Sequence, residues 1–320
     1  MKRVTNIAED KMLCHLDRVV GEHKPITADV FLTNYCNNKC PYCTYGRWKL
    51  GSGAYAMNYE DFIRYAERLR GLGVLGMIFS GGGEPTLCPD FARITAWMEE
   101  QRFHYGINTN FNNLVLFKPD YLKVSLDAWD EDSYESIRGV RKYGQVLDNI
   151  RSYVDWKKKN SPDTTVGVQC LARSAENVSR FYEANRHLDV DYFSFRPVES
   201  TAGKFYGSEG NEAQDIIDLI QELAASDGRV VLNFKWNLLK RREKDCTAQW
   251  AQIAMNERGE VMYCCHKPYQ IVGHIMDTDI MEKKAKSGTD MAMCDVPCRM
   301  TAPNMFVSQV QSEKKDAYFI

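Results

Sequence analysis

No apolar run in the 320 residues approaches the roughly 20 that a membrane-spanning helix needs. No signal peptide opens the chain, so a soluble cytoplasmic protein is expected. An excess of charge of either sign is also missing: 41 Lys and Arg against 43 Asp and Glu give a net charge of -2. General nucleic-acid binding through a basic surface is therefore not expected. The six histidines show no metal-ligand spacing among themselves. Neither a solenoid-length repeat nor a low-complexity tract is present. A disulfide framework is disfavoured by the length and by the odd cysteine count of 11, which fit a reducing compartment. What the chain does have is cysteine in two groups, at 36–43 and at 246–298.

The first group is Cys36, Cys40 and Cys43, with three and then two residues between them. Three thiolates this close can hold three irons of a cubic 4Fe-4S cluster, and the missing fourth ligand leaves one iron open to bind something else. Zinc is the competing reading, but it wants four ligands and commonly takes paired C-x2-C units from separate turns.

Around this loop, apolar strand-like runs alternate with helical patterns. Residues 28–33 (ADVFLT) read as a buried strand that delivers the cysteine loop at its C-terminal end. The loop continues through 44–53, where Tyr45, Arg47 and Trp48 are candidates to shield a site. A helix opened by Asn58 follows, then a strand at 74–79 that runs into Ser80, three glycines and Glu84. Glycines at a strand end let backbone approach a ligand closely, and a glutamate after them can accept from an ammonium group. As a phosphate loop the stretch is poor, lacking the GK[ST] ending. Further strands are expected at 104–110, 121–127, 164–171 and 191–196, with helices at about 89–101, 131–138, 142–159 and 175–188 between them. Six strands alternating with helices imply a parallel sheet with right-handed crossovers, curled toward a partial barrel. Its functional groups belong at the C-terminal strand ends, where the glycine loop, Ser125, Asp127 and Arg196 fall. Residues 197–210 read as a loop and 211–226 as a helix. Near 240 the composition changes to short strands and turns, including a hairpin at 256–263 that leads into Cys264. The division expected is an N-terminal extension (1–27), an α/β core (28–240) and a small cysteine-rich domain (241–320).

The C-x3-C-x2-C loop after the first strand, with Gly-Gly-Glu-Pro after the second, resembles the radical S-adenosylmethionine (SAM) superfamily over about residues 28–200. The resemblance implies a partial (β/α)6 TIM-type barrel in which Cys36, Cys40 and Cys43 hold a 4Fe-4S cluster and SAM chelates the open iron. It also implies that Gly82, Gly83 and Glu84 receive the methionine amino group, that Ser125 and Asp127 contact SAM, and that Arg138 meets its carboxylate. The C-terminal part resembles the SPASM and shorter twitch extensions, which carry an auxiliary 4Fe-4S cluster; the matching residues are Cys246, Cys264, Cys294 and Cys298. The last pair has three intervening residues where that family usually has two, and a zinc knuckle is the competing occupant.

A radical SAM protein uses one electron from its cluster to make a 5'-deoxyadenosyl radical, which removes hydrogen from an unactivated C–H bond. The resemblance therefore implies an oxidoreductase or an epimerase. Cys265 stands as a ligand, a packed small hydrophobe or a hydrogen donor, and Arg196 as a substrate contact or a structural ion-pair partner. Sugars, aminocyclitols, nucleosides and ribosomally made peptides are the substrate classes to expect, with a small molecule preferred. A flavodoxin- or ferredoxin-like reductant is implied. The non-enzymatic alternative is a zinc-binding or redox-sensing iron-sulfur protein.

Overall fold

The computed structural model describes residues 8–41, 43, 45, 53–199, 205–206, 211–233, 246–288 and 301–312. After a short helix α1 (Ala8–Leu13) the chain enters strand β1 (Thr27–Val30) and then alternates: α2 (Tyr59–Leu72), β2 (Gly76–Phe79), α3 (Phe91–Glu100), β3 (His104–Thr109), β4 (Tyr121–Ser125), α4 (Glu131–Arg138), α5 (Tyr143–Asn160), β5 (Thr165–Ala172), α6 (Ala175–Asn185) and β6 (Tyr192–Glu199). Strands β1 to β6 pair side by side in chain order, every pair parallel. The fold is the expected α/β partial barrel, with the crossover helices covering its outer face.

Local chemistry explains the boundaries. Asn58 caps α2 by accepting from the Asp61 N–H at 2.8 Å. The helix buries Phe62, Tyr65, Ala66 and Leu69 at helical spacing and stops at Gly73, in the left-handed region. Asp130 and Ser133 close a reciprocal capping box at the start of α4. Strand β5 is apolar nearly throughout because both faces are covered: Val166, Val168, Cys170 and Ala172 on one face are 0% exposed, and Gln169 and Leu171 on the other are buried too. Each fully buried side chain of the size of Phe62 or Leu69 contributes about 1.5–3 kcal/mol.

Beyond β6 come β7 (Phe205–Tyr206), α7 (Asn211–Ser226), β8 (Val230–Leu232), β9 (Gln252–Met255), β10 (Glu260–Met262), β11 (Ile271–His274), α8 (Ile280–Lys286) and α9 (Thr301–Gln311). Strand β8 adds to β6 in parallel, and β9 lies parallel to β1 on its free side. The expected hairpin joins β9 to β10, turned by Asn256, whose Oδ1 accepts from the Arg258 and Glu260 N–H groups at 3.0 Å each. The strands after the expected boundary near 240 thus continue the barrel sheet, which runs β11-β10-β9-β1 and on through β6. The boundary itself, Arg47, Trp48 and most of the 197–210 loop lie outside the described residues. A second small core joins Met12 and Val19 to Trp250, Phe306 and Val307. Among the described residues no helix is long and apolar enough to cross a membrane.

Candidate active site

The cysteine loop leaves the end of β1 and is held from both sides. The Thr33 hydroxyl donates to the Tyr55 carbonyl at 2.8 Å, and the Tyr55 N–H donates to Asn34 Oδ1 at 2.8 Å. On the other side the glycine loop after β2 presses against it. The Glu84 N–H donates to the Tyr35 carbonyl at 2.7 Å. A Cβ on Gly83 would lie 2.0 Å from that same carbonyl, and one on Gly82 (φ +61) 2.9 Å from the Thr33 carbonyl. Close approach is the reason for these glycines, and what they approach is the backbone of the cysteine loop, where the sequence reading expected a ligand.

Glu84 is 3% exposed. Its Oε1 accepts from the Thr86 hydroxyl (2.9 Å), the Thr86 N–H (3.3 Å) and the Thr109 hydroxyl, and its Oε2 from the Asn110 N–H at 2.7 Å. A carboxylate offers about four lone-pair sites, so Oε2 keeps one for an ammonium donor. Burial pushes the Glu84 pKa above its ordinary value, and the donors from Asn110, Thr109 and Thr86 pull against that shift.

Cys36, Cys40 and Cys43 are half-buried and in no disulfide. The Cys36 pKa is pushed up by burial; the Asn38 N–H opposes this, and Glu84, Cys40 and Cys43 add to it. These groups therefore feel one another's charge. Sulfur-directed donors surround them: the Asn38 N–H is 3.5 Å from Cys36 Sγ, Asn110 Nδ2 is 3.8 Å from it, and Arg138 Nη1 is 3.6 Å from Cys40 Sγ. Such donors are what iron-bound thiolates need. Among the described residues no three Cys, His, Asp or Glu side chains gather tightly enough for a single metal ion. A cubane offers three separate irons, so its thiolates stand farther apart than the ligands of one ion. The donor set, three thiols on one loop with N–H donors at Cys36 and Cys40, has the chemistry of an iron-sulfur site.

An asparagine network that the sequence reading missed fixes this loop. Asn110 Nδ2 donates to Asn37 Oδ1 at 2.7 Å, and Asn112 Nδ2 to Asn38 Oδ1 at 2.7 Å. The Tyr134 hydroxyl in turn donates to Asn112 Oδ1 at 3.0 Å. The signal was there in two asparagine-rich runs, 34–38 and 108–113, each following a strand.

The remaining candidates are spread more widely, and Arg196, expected at a strand end, lies inside β6 (Tyr192–Glu199), which runs three residues further. Ser125 ends β4 opposite Gln169. Asp127, fully buried with φ +57, accepts from the Leu171 N–H at 2.6 Å and forms an ion pair with Arg138. Arg196 lies on β6 in register with Leu171. Cys265 is buried with Phe31, Ala254 and Met262, and its carbonyl accepts from the Tyr45 hydroxyl at 2.8 Å. Tyr45 is two residues past Cys43, so that bond ties the C-terminal region to the cysteine loop. Cys246 and Cys264 are half-buried, whereas Cys294 and Cys298 lie outside the described residues. Lys284, 1% exposed and not anticipated from the sequence, donates to the Tyr263 carbonyl. Burial lowers its pKa to about 8, while Cys264, Cys246 and Cys265 raise it.

A parallel half-barrel collects three thiols on one loop and a buried glutamate on the next. Residues 30–169, somewhat under half of the chain, match the model of the Radical SAM superfamily. A domain of this family uses a 4Fe-4S cluster and SAM. A probable GTP 3',8-cyclase of Saccharolobus solfataricus is 24% identical over 204 residues, 61% of this chain and 64% of the cyclase. The match thus spans less than two thirds of that relative's length. A tungsten-containing aldehyde ferredoxin oxidoreductase cofactor-modifying protein of Pyrococcus furiosus is 26% identical over 49% of this chain and 46% of its own. Among solved structures, SuiB of Streptococcus suis bound to precursor peptide SuiA superposes with a TM-score of 0.60 at 17% identity, over 80% of this chain and 63% of SuiB. The protein anSMEcpe, with bound AdoMet and a Kp18Cys peptide, gives 0.59 at 16% identity over 86% and 90%. At these identities the structural likeness speaks for the fold.

Proposed function

We propose that the barrel binds SAM at a cluster held by Cys36, Cys40 and Cys43 and removes hydrogen from a substrate C–H bond, and that a second 4Fe-4S cluster in the C-terminal region completes an oxidation or an epimerisation. When bound, the reduced cluster supplies the electron that splits SAM to a 5'-deoxyadenosyl radical. The chain's own part is to hold and seal: Glu84 offers Oε2 to the methionine ammonium, Gly82 and Gly83 bring the loop backbone close, Ser125 lines the end of β4, and Arg138 lines the end of α4. Cys246, Cys264, Cys294 and Cys298 are the ligands for the auxiliary cluster. The observation that carries this reading is the Tyr45–Cys265 bond, which sets the segment of Cys264 and Cys265 against the cysteine loop and so supports a second redox site in the C-terminal region.

Two substrate readings follow. A polar small molecule of the sugar, aminocyclitol or nucleoside kind fits the 24% identity to a nucleotide cyclase. A ribosomally made peptide fits the fold shared with SuiB and anSMEcpe, both solved with peptides. A flavodoxin- or ferredoxin-like protein is the proposed electron donor.

The test is anaerobic reconstitution with iron and sulfide counts in wild type and in a Cys36→Ala, Cys40→Ala, Cys43→Ala variant, with SAM cleavage assayed in both. About 4 Fe retained by the variant, with cleavage lost, is expected. No iron in the variant removes the auxiliary cluster, and cleavage retained removes the assignment of the first.

A further inference from the structure

The C-terminal end of α4 is docked onto the cysteine loop. The Lys39 N–H donates to the Arg138 carbonyl at 2.9 Å. At Gly139 (φ +72) an added Cβ would lie 2.6 Å from the Lys39 carbonyl, so the helix end and the loop are in direct backbone contact. From this seat the Arg138 side chain, 11% exposed, reaches two ways: Nη1 to Cys40 Sγ at 3.6 Å and Nη2 to the fully buried carboxylate of Asp127. Asp127 is itself fixed, donating through its N–H to the Gln169 carbonyl at 3.0 Å and accepting from the Leu171 N–H at 2.6 Å. Two of the three guanidinium nitrogens are thus engaged within the chain, and Nε has no hydrogen-bond partner among the described residues.

We infer that the Asp127–Arg138 pair is a charge-setting device for the SAM-binding cluster, acting through Cys40 on its reduction potential whether or not SAM is present. The inference rests on the cluster at Cys36, Cys40 and Cys43. Reduction adds one electron to the cluster and makes it more negative. A donor and a positive charge beside a ligating sulfur stabilise that reduced form, and a carboxylate behind the donor offsets part of the effect. Arg138 therefore raises the potential and Asp127 lowers it. A guanidinium serves here because its rigid fork can address sulfur and carboxylate at once, which a lysine ammonium cannot do with the same geometry.

The experiment is redox potentiometry followed by electron paramagnetic resonance on reconstituted, SAM-free full-length protein, with iron counted in every sample. The cluster with the open iron is identified as the signal that changes when SAM is added. Arg138→Gln is expected to lower its potential and Asp127→Asn to raise it. Each shift should amount to about a tenfold change in the reduced-to-oxidised ratio, or about 59 mV for a one-electron couple. Because Arg138→Gln leaves a buried carboxylate unpaired, the double variant R138Q/D127N is measured beside it. It should hold its iron and lie below wild type by less than R138Q alone, since the charged donor on Cys40 is lost and removal of the carboxylate behind it offsets only part of that loss. Unchanged SAM-free potentials in the variants, with only SAM affinity weakened, would make Arg138 a SAM carboxylate partner and overturn the inference. Shifts of the same sign in both single variants would overturn it too, because that is the mark of loosened packing. A failed cluster shows in the iron count, separately from either result.

Discussion

The backbone N–H of Asn110 donates to Glu84 Oε2 at 2.7 Å while the side chain of the same residue turns to the cysteine loop, 2.7 Å from Asn37 Oδ1 and 3.8 Å from Cys36 Sγ. One residue at the end of β3 therefore holds both the glutamate and the first cluster ligand. Asn110→Ala keeps the bond to Glu84 and loses both contacts to the cysteine loop, together with the bond its Oδ1 accepts from the Asn112 N–H at 2.9 Å. Loss of a partner that orients a metal ligand typically costs 10- to 100-fold in metal affinity or activity. The variant should lose cluster iron to a chelator about that much faster than wild type, with the circular dichroism of the apoprotein unchanged. Asn110→Asp, which sets a carboxylate against the Cys36 sulfur, should be worse than alanine.

Glu84 is asked to meet an ammonium group with one remaining lone pair. A hydrogen bond to a charged partner contributes about 1.5–3 kcal/mol, so Glu84→Gln should weaken SAM binding by roughly 10- to 100-fold. In that variant the new amide can still present oxygen to Thr86 and Thr109, but its NH2 then faces the Asn110 N–H. Calorimetric titration of SAM into the reconstituted variant measures the loss. An unchanged affinity would assign Glu84 to holding the loops alone.

The same carboxylate should leave a pH signature in the SAM-free apoprotein. Burial raises the folded-state pKa of Glu84 above the ordinary 4.5, so the folded chain binds a proton that the unfolded chain has released. The stability from this group is fully present below about 4.5 and is lost as pH rises through the folded pKa. Urea unfolding of wild type compared with Glu84→Gln should therefore show wild type falling relative to the variant as pH rises from about 4.5. A difference that is flat with pH, or that rises, would contradict the assignment.

Much of this was legible in the sequence because strand and helix patterns are local. The runs at 28–33 and 74–79, the Asn58 cap and the Gly73 stop each signal their element from neighbouring residues. The cysteine spacing and the glycines before Glu84 are also contiguous, and both stand at strand ends where the structure puts them. What was not legible depends on residues far apart in the chain. Asn38 and Asn112 meet only because β1 and β3 end at the same face, and asparagines in loops read from sequence as turn formers. Lys284 gave no sign of burial, since a lysine in a run of Glu-Lys-Lys-Ala-Lys looks like a solvated helix face. The parallel pairing of β9 with β1 was hidden for a similar reason: more than 200 residues separate the two strands, and a short apolar strand does not name its neighbour.

Cys265 offers the last prediction, and its surroundings favour packing. It is 8% exposed and lies among Phe31, Ala254 and Met262 with Tyr45 against them. The bond from Tyr45 goes to its carbonyl, which any residue at this position would supply. Cys265→Ala removes the sulfur, keeps that bond and leaves a gap of about one heavy atom, so stability should fall by no more than about 1–2 kcal/mol. Iron content and SAM cleavage should match wild type, and with substrate the product should be the same. An auxiliary cluster reduced by about 4 Fe in this variant would make Cys265 a ligand in place of one of the four cysteines assigned above. Full iron with a switch from epimer to other products would make its thiol the hydrogen donor, because the substrate radical would then lack a nearby S–H bond to quench it. A redox-neutral epimerisation requires such a donor, whereas an oxidation sends the second electron to the cluster and has no need of the thiol. The C265A product profile therefore separates the two reaction types even before the natural substrate is known in detail.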